Sequence, residues 1–256
     1  MFGGEPIFGD IHIWLIPGLF FVLAALYSSV GHAGASGYLA VMALFNLPPD
    51  LMRPIALSLN IMVASLTVFR FYKSGHLKWS DIWPLVLLSI PCAFIGGSIT
   101  LPGDIYRPAL GVLLLASAAY LFWGSLFDPD TFSQDRKRLP RVPALGIGGT
   151  IGMVSGLVGI GGGVLLSPAV MILRWTNVRR TAAIAASFIL FNSSAGLAGN
   201  VIAAGQIPAV LPFWAAAAVL GGFIGSKMGA QLLPTRMLVW LLAVALVIAG
   251  GKFLLM

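Results

Sequence analysis

The stretch that most constrains this chain is Val158-Gly159-Ile160-Gly161-Gly162-Gly163, running on through Val164-Leu165-Leu166-Ser167 to Pro168. Apolar residues flank it on both sides, which places it at membrane depth. Each glycine costs about 1 kcal/mol against alanine inside a helix, so four in five positions predict a break. Lipid offers the freed N–H and C=O groups no partner. Such a break persists only where it is buried in protein or lines a polar cavity. The apolar segments before it (142–157) and after it (163–173) each fall short of the ~20 residues a span needs. The reading is two half-helices meeting at a glycine loop. The second aims its N-terminal N–H groups at whatever lies there, an arrangement suited to an anion.

Composition agrees with membrane depth. The 256 residues are 59% hydrophobic and 9% charged, with a mean hydropathy of +0.97. The expected class is therefore an all-α polytopic membrane protein. A lone cysteine, Cys92, excludes an internal disulfide and a multi-cysteine metal site. A net charge of +7 would point to nucleic acid in a soluble protein. Here the positive residues sit mainly in short loops, so topology accounts for them and no nucleic-acid partner is expected. The chain begins with Glu5 and Asp10 and without Lys or Arg before its first apolar run, unlike a cleavable signal peptide.

The apolar runs fall at 11–30, 38–47 (short), 51–71, 82–99 and 105–127. A polar segment, 128–141, contains Arg136-Lys137-Arg138, and the pattern then restarts at 142–157, 163–173, 178–204, 210–225 and 237–256. Superposing the breaks matches Gly31 and Gly34 with Gly159 and Gly162. One residue out of register, Ser58 and Ser65 match Ser187 and Ser194, Phe94-Ile95-Gly96 matches Phe223-Ile224-Gly225, and Arg107 matches Arg236. The repeat is about 129 residues long. The expected domains are a first transmembrane repeat (1–127), a cytoplasmic linker (128–141) and a second repeat (142–256).

Loops 70–80, 128–141, 174–180 and 227–236 hold 12 of the 15 Lys and Arg residues, and Arg53, Arg107 and Lys252 lie on the opposite set. By the positive-inside rule the rich loops are cytoplasmic and both termini are outside a multi-pass cell membrane, the inner or cytoplasmic one. The first half then starts from outside and the second from inside. The expected architecture is an inverted-topology repeat of two five-helix halves, each with a Gly-broken or re-entrant helix pair. Transporters of this build bind substrate near the midplane, where the breaks face each other.

The Gly-Ile-Gly-Gly-Gly-Val…Pro run, the later Arg179-Arg-Thr-Ala-Ala-Ile-Ala-Ala-Ser-Phe, the matching Arg53-Pro-Ile-Ala-Leu-Ser-Leu and the two-fold repeat together resemble the TauE/SafE sulfite exporter family. The resemblance covers essentially the whole chain. It implies a secondary transporter that exports small sulfur-containing anions, such as sulfite or sulfoacetate-like organosulfonates. The first break reads Gly31-His-Ala-Gly-Ala-Ser-Gly37 where the family has a Gly-X-Gly-Gly-Gly form.

Candidate substrate-binding residues are Gly31, His32, Gly34 and Ser36 at the first break and Gly159, Gly161, Gly162 and Gly163 at the second. The bland alternative for the glycines is close helix packing. His32 reads equally as an anion donor or proton carrier and as a buried histidine on a carbonyl. Ser58 with Ser65, and Ser187 with Ser194, lie seven apart, on one face of each helix. Bonding to their own i−4 carbonyls competes with substrate contact. Asn60 and Asn192 point away from those serines and read as interhelix bonds. Arg53, Arg107, Lys227 and Arg236 read as interface anchors. No Asp or Glu falls inside an expected span, which argues against a cation pump, and no metal spacing or Walker loop occurs. Ser28 or Ser36 with His32 could be cast as a hydrolase dyad, but no third orienting carboxylate is in reach. The expected protein is thus not an enzyme and needs no cofactor. Its partners are a small anion and the bilayer, with room for a coupling proton or ion, and its oligomeric state is left open. The alternatives are a passive anion channel, a carboxylate transporter and a membrane scaffold. A reporter inserted within 128–141 is expected to read cytoplasmic and one at either terminus external. A periplasmic signal from the central segment overturns both orientation and inversion.

Overall fold

The computed structural model describes residues 10–29, 31–75, 77–126, 139–173, 175–176, 178–204, 210–228, 244, 247, 250–251 and 254. Among them lie nine helices: α1 (Asp10–Ser29), α2 (Ala35–Leu44), α3 (Pro49–Lys73), α4 (Trp79–Ser98), α5 (Gly103–Leu126), α6 (Arg141–Val158), α7 (Gly163–Ile172), α8 (Val178–Ala204) and α9 (Leu211–Met228). The tail positions 244, 247, 250, 251 and 254 are helical too. Most of the linker, Arg174, Arg236 and most of the expected final span lie outside the described residues.

Four of these helices, α3, α4, α6 and most of α8, are long and apolar enough to cross a membrane. Large apolar side chains stand exposed on the outer faces, among them Val22, Leu87, Ile95, Val112 and Leu220. In water these would form an aggregation-prone surface, and in a bilayer they meet hydrocarbon. Two expectations are corrected here. The helix before the second break is not a half-helix: α6 has 18 residues and qualifies as a span. The short helix of the first half also starts earlier than 38, so Ser36 and Gly37 belong to its first turn. Gly37 faces Tyr27 and Leu23 so closely that any side chain would collide with them.

Glycine sets the helix contacts. Gly148, Gly152 and Gly156, one turn apart on α6, lie against the backbone carbonyls of Leu85, Ser89 and Ala93 on α4. A Cβ at any of the three would collide with the facing oxygen. The same device recurs where Gly221 and Gly225 of α9 meet the carbonyls of Phe21 and Ala25 on α1. Both pairs run parallel, because residue numbers rise together along each contact. α4 also packs on α8, α3 packs on α8 and α9, and the tail lies on α5 through Gly250 and Gly111. Small residues suit such contacts, since lipid gives helices no hydrophobic reason to associate and close packing must supply the attraction.

Two apolar clusters result. One gathers α1, α2 and α3 with α5 and α9, centred on Phe20, Tyr38 and Trp214. The other gathers α4, α6, α7 and α8 around Leu85, Leu166 and Phe188. One α6 contrast tests the packing argument. Gly146 has open space at its Cβ, so Gly146→Ala is expected to stabilise by about 1 kcal/mol. Gly148→Ala, only two residues on, is expected to destabilise by about 1–3 kcal/mol through overpacking against Leu85. Thermal unfolding of the purified variants checks the opposite signs.

Candidate functional site

The two breaks share one backbone conformation. Gly31 and Gly159 have φ of 85° and 86°, and Gly34 and Gly162 have φ of 104° and 77°, all in the left-handed region that side chains resist. α1 ends in a Schellman motif, with Gly31 N–H donating to the Ser28 carbonyl (3.3 Å) and His32 N–H to that of Tyr27 (2.9 Å). Gly161 is also left-handed, at 75°, where the first break carries Ala33. That extra glycine matters for space as well. A Cβ at Gly161 would collide with the Asn60 amide and crowd the Ser193 hydroxyl.

Each break begins against a long helix distant from it in sequence. Gly31 touches Ala182, the fifth residue of α8, and Gly159 touches Arg53, the fifth residue of α3. The second break then descends to Asn60 and Ile189, near the middle of those helices. His32 of the first break reaches the other hairpin, its Nε2 lying 3.0 Å from the hydroxyl of Ser167 on α7. Ser36 instead faces the Tyr27 hydroxyl at 2.8 Å, and Ser28 donates to the Gly222 carbonyl at 3.1 Å. Neither serine of the hypothetical dyad is joined to His32 by these bonds.

The matched serines divide. Ser58 and Ser187 are buried, and Ser187 donates to the Ala183 carbonyl at 3.0 Å. Ser65 and Ser194 are exposed and donate to the i−4 carbonyls of Ile61 and Leu190. The neighbour, Ser193, is the residue that points inward and accepts from Asn60 Nδ2 (3.2 Å). Asn60 also donates to the Ile160 carbonyl at 3.5 Å, while Ser89 donates to Asn192 Oδ1 at 2.6 Å. These interhelix amide bonds are the ones expected, and they form a polar layer linking α3, α4, α8 and the second break.

Sequence reasoning missed Arg53. Expected as an interface anchor, it is only 4% exposed. Its guanidinium donates to the carbonyls of Ile99 (2.9 Å), Gly96 (3.3 Å), Gly97 (3.0 Å) and Gly156 (2.8 Å). The first three lie at the C-terminal end of α4 and the fourth in the last turn of α6. Carbonyls at a helix end are under-satisfied within their own helix, only Gly96 of these four taking a cap bond, from Ile99 N–H, and they carry the negative end of the dipole. A planar fork of five donors can serve several at once, which an ammonium cannot. Tyr106, from α5, completes the corner by donating to the Val158 carbonyl at 3.0 Å. By contrast Arg107 and Lys227 are exposed, as an anchor should be. The signal for Arg53 was present: the register that pairs Ser58 with Ser187 sets Arg53 opposite Ala182, five residues inside a span.

Several buried polar atoms around the second break have no hydrogen-bond partner: Arg53 Nε, Ser155 Oγ, Asn192 Nδ2 and Asn60 Oδ1. Three of the four can donate. Among the described residues the buried carboxylate is Asp81, and it pairs with Arg180. Donors without acceptors beside a buried cation form an environment that favours negative charge.

The family described as sulfite exporter TauE/SafE matches residues 16–253. The chain belongs to that family. A probable membrane transporter protein of Sinorhizobium fredii is 39% identical over 92% of this chain and 95% of its own length. A second probable membrane transporter protein, from Methanocaldococcus jannaschii, is 24% identical over 69% of this chain and 68% of its own. No solved structure matches the chain significantly. This TauE/SafE protein is therefore a multi-pass membrane transporter by family and by its apolar helices.

Arg53→Lys is expected to destabilise this TauE/SafE protein by about 3 kcal/mol, because one ammonium cannot reach four carbonyls and leaves some unpaired. A lowered midpoint in thermal unfolding checks it. Arg107→Lys, on the exposed neighbour turn, serves as the neutral control.

Proposed function

We propose that this protein is a secondary transporter that exports small sulfur-containing anions, such as sulfite or an organosulfonate, across the cytoplasmic membrane. The anion binds in the middle of the bundle between the two broken-helix hairpins. The observation that carries this reading is the second break itself. It combines a buried guanidinium, buried donors without partners and the N-terminus of α7. A helix N-terminus carries roughly half a positive charge, and the corner has a surplus of donors over acceptors. His32 and Ser167 add a donor pair from the facing hairpin. A sulfonate has three acceptor oxygens and needs convergent donors, which two hairpins can supply together.

The transport cycle follows from an inverted repeat of residues 1–127 and 142–256. Contact exchange supports that repeat: the first helix of each half packs on the fourth of the other, α1 on α9 and α6 on α4. The registers correspond as well, with Gly96 against the Met153 carbonyl and Gly225 against that of Ala25. Helix sense supports the inversion. α4 and α6 begin beside one cavity that holds Lys78 and Arg141. α9 ends on the same side, where Arg70 from the last turn of α3 covers Phe223 at 4.8 Å. Since α1 runs with α9, it runs against α6. Three of the four positive loops meet at that cavity, which supports reading this face as cytoplasmic and both termini as outside. The family description favours sulfur anions and export. The partners are thus the anion and the bilayer, with a coupling proton or ion completing the cycle.

Binding to the purified protein tests the substrate class. Sulfite, sulfoacetate, acetate and ammonium are compared by calorimetry at fixed ionic strength, and a preference for the sulfur anions is expected. Preference for acetate would favour a carboxylate transporter, and indifference to every anion would sink the reading. Gly161→Val, strained at φ 75° and colliding with Asn60, is expected to abolish flux in proteoliposomes while the protein still inserts. Unsaturable flux in the wild type would indicate a channel instead.

A further inference from the structure

We propose that the cavity at the head of α4, α6 and α8 is a separate anion site, built for an oxyanion head such as sulfate, a sulfonate or a phosphate ester. It encloses about 440 Å³ and is lined by Lys78, Arg141, Arg180, Asp81 and Trp83 among others. That volume lies within the range of small-ligand pockets, about 300–1,000 Å³. Three cations face one carboxylate, and that carboxylate is already engaged by Arg180.

The placement of the cations is what demands a ligand. Lys78 is the N-cap of α4, Arg141 is the first residue of α6 and Arg180 is the third of α8. Each stands in the first turn of its helix, where the dipole favours anions and opposes cations. Three helices therefore direct the positive ends of their dipoles at a region that already holds three positive side chains. Asp81, in the first turn of α4 and paired with Arg180, offsets part of this charge, and an oxyanion would neutralise the remaining excess of cations over carboxylate. Within this wall the Arg141 guanidinium lies 5.7 Å from the Trp83 ring centroid, a cation–π contact between two lining residues. Lys78 and Arg141 are exposed enough to reach a ligand from solution or from the membrane interface. The site stands on these residues and does not depend on which anion crosses the bundle.

The test uses the full-length protein in detergent, with inorganic sulfate as the probe. Sulfate replaces chloride at constant ionic strength while tryptophan emission is followed. A saturable change is expected in the wild type, and it disappears in Trp83→Phe, which assigns it to this wall. The Lys78→Gln/Arg141→Gln double variant is expected to weaken sulfate by about tenfold or more, from the loss of two charge-assisted contacts. Should that variant fail to purify, Arg141→Gln alone is read the same way, with a loss of about threefold or more. A second arm separates the two sources of the anion. If a lipid headgroup is the occupant, phosphatidylglycerol vesicles suppress the sulfate response and phosphatidylcholine vesicles do not. If a free ion is the occupant, both leave it intact. Absence of any saturable sulfate response in the wild type overturns the proposal, as does undiminished binding in the charge variants.

Discussion

Hydrocarbon cannot hydrogen-bond a peptide group, and every other feature of this bundle follows from that. Breaking two helices inside an apolar bundle frees carbonyls that must find partners within the protein. They find them on side chains from elsewhere in the chain. Tyr38 serves Ala33 at 2.7 Å, Tyr106 serves Val158, Asn60 serves Ile160 and Arg53 serves Gly156. The breaks are thus held from outside themselves, by α2, α3 and α5. A buried carbonyl left unmet costs about 1–3 kcal/mol, so each of these side chains selects the loop conformation as well as tolerating it. The left-handed glycines permit the path, and the donors fix it.

Close approach is the second requirement, and it joins helices that lie far apart in the sequence. The glycines of α6 bury against carbonyls of α4, and those of α9 against carbonyls of α1. With dispersion as the main attraction between helices in lipid, such contacts matter more than apolar area. The second break in turn reaches Asn60 in the first half and Ser193 in its own. Its geometry therefore depends on α3 and α8 being docked on each other, which ties the site to the packing.

Much of this was legible in the sequence, because the governing signals are local. Glycine clusters mark the breaks, polar turns mark the helix ends, and α8 falls at the expected 178–204. The paired left-handed positions were legible too, since Gly31/Gly34 and Gly159/Gly162 keep their spacing. What sequence reasoning lost was depth. Ser58 and Ser65 do share a helical face, yet one is buried and the other exposed, because that face is covered at Ser58 and open from Met62 on, while Thr67 on another face stays buried. Arg53 reads as an interface residue in the same way: it lies near the start of the expected span at 51, whereas α3 begins at Pro49 and carries Arg53 under the ends of α4 and α6. The glycine stripe on α6 was readable as a four-residue spacing but was overshadowed by the denser run beside it. Helix length failed for a related reason. Val158 ends α6 at its glycine cap, yet Arg141 lengthens it at the other end.

The two breaks share the left-handed positions Gly31/Gly34 and Gly159/Gly162, which makes the difference at their junctions informative. At matched junctions between a break and a long helix, one half has Arg53 against Gly159 and the other has Ala182 against Gly31. Separating α3 from its neighbours at the first junction breaks four hydrogen bonds from a charged donor. Such bonds are worth about 1.5–3 kcal/mol each, and their loss would strand a buried cation. Separating α8 from the first break at Ala182 forfeits only the contacts of a methyl group, about 0.1–0.2 kcal/mol per atom pair. Two junctions with the same backbone thus differ several-fold in the work needed to open them. The cation that makes one junction stiff also leaves its Nε–H buried and unshared beside the glycine loop. Rigidity and positive potential at that corner therefore come from a single side chain, and a substitution that relaxes the one removes the other.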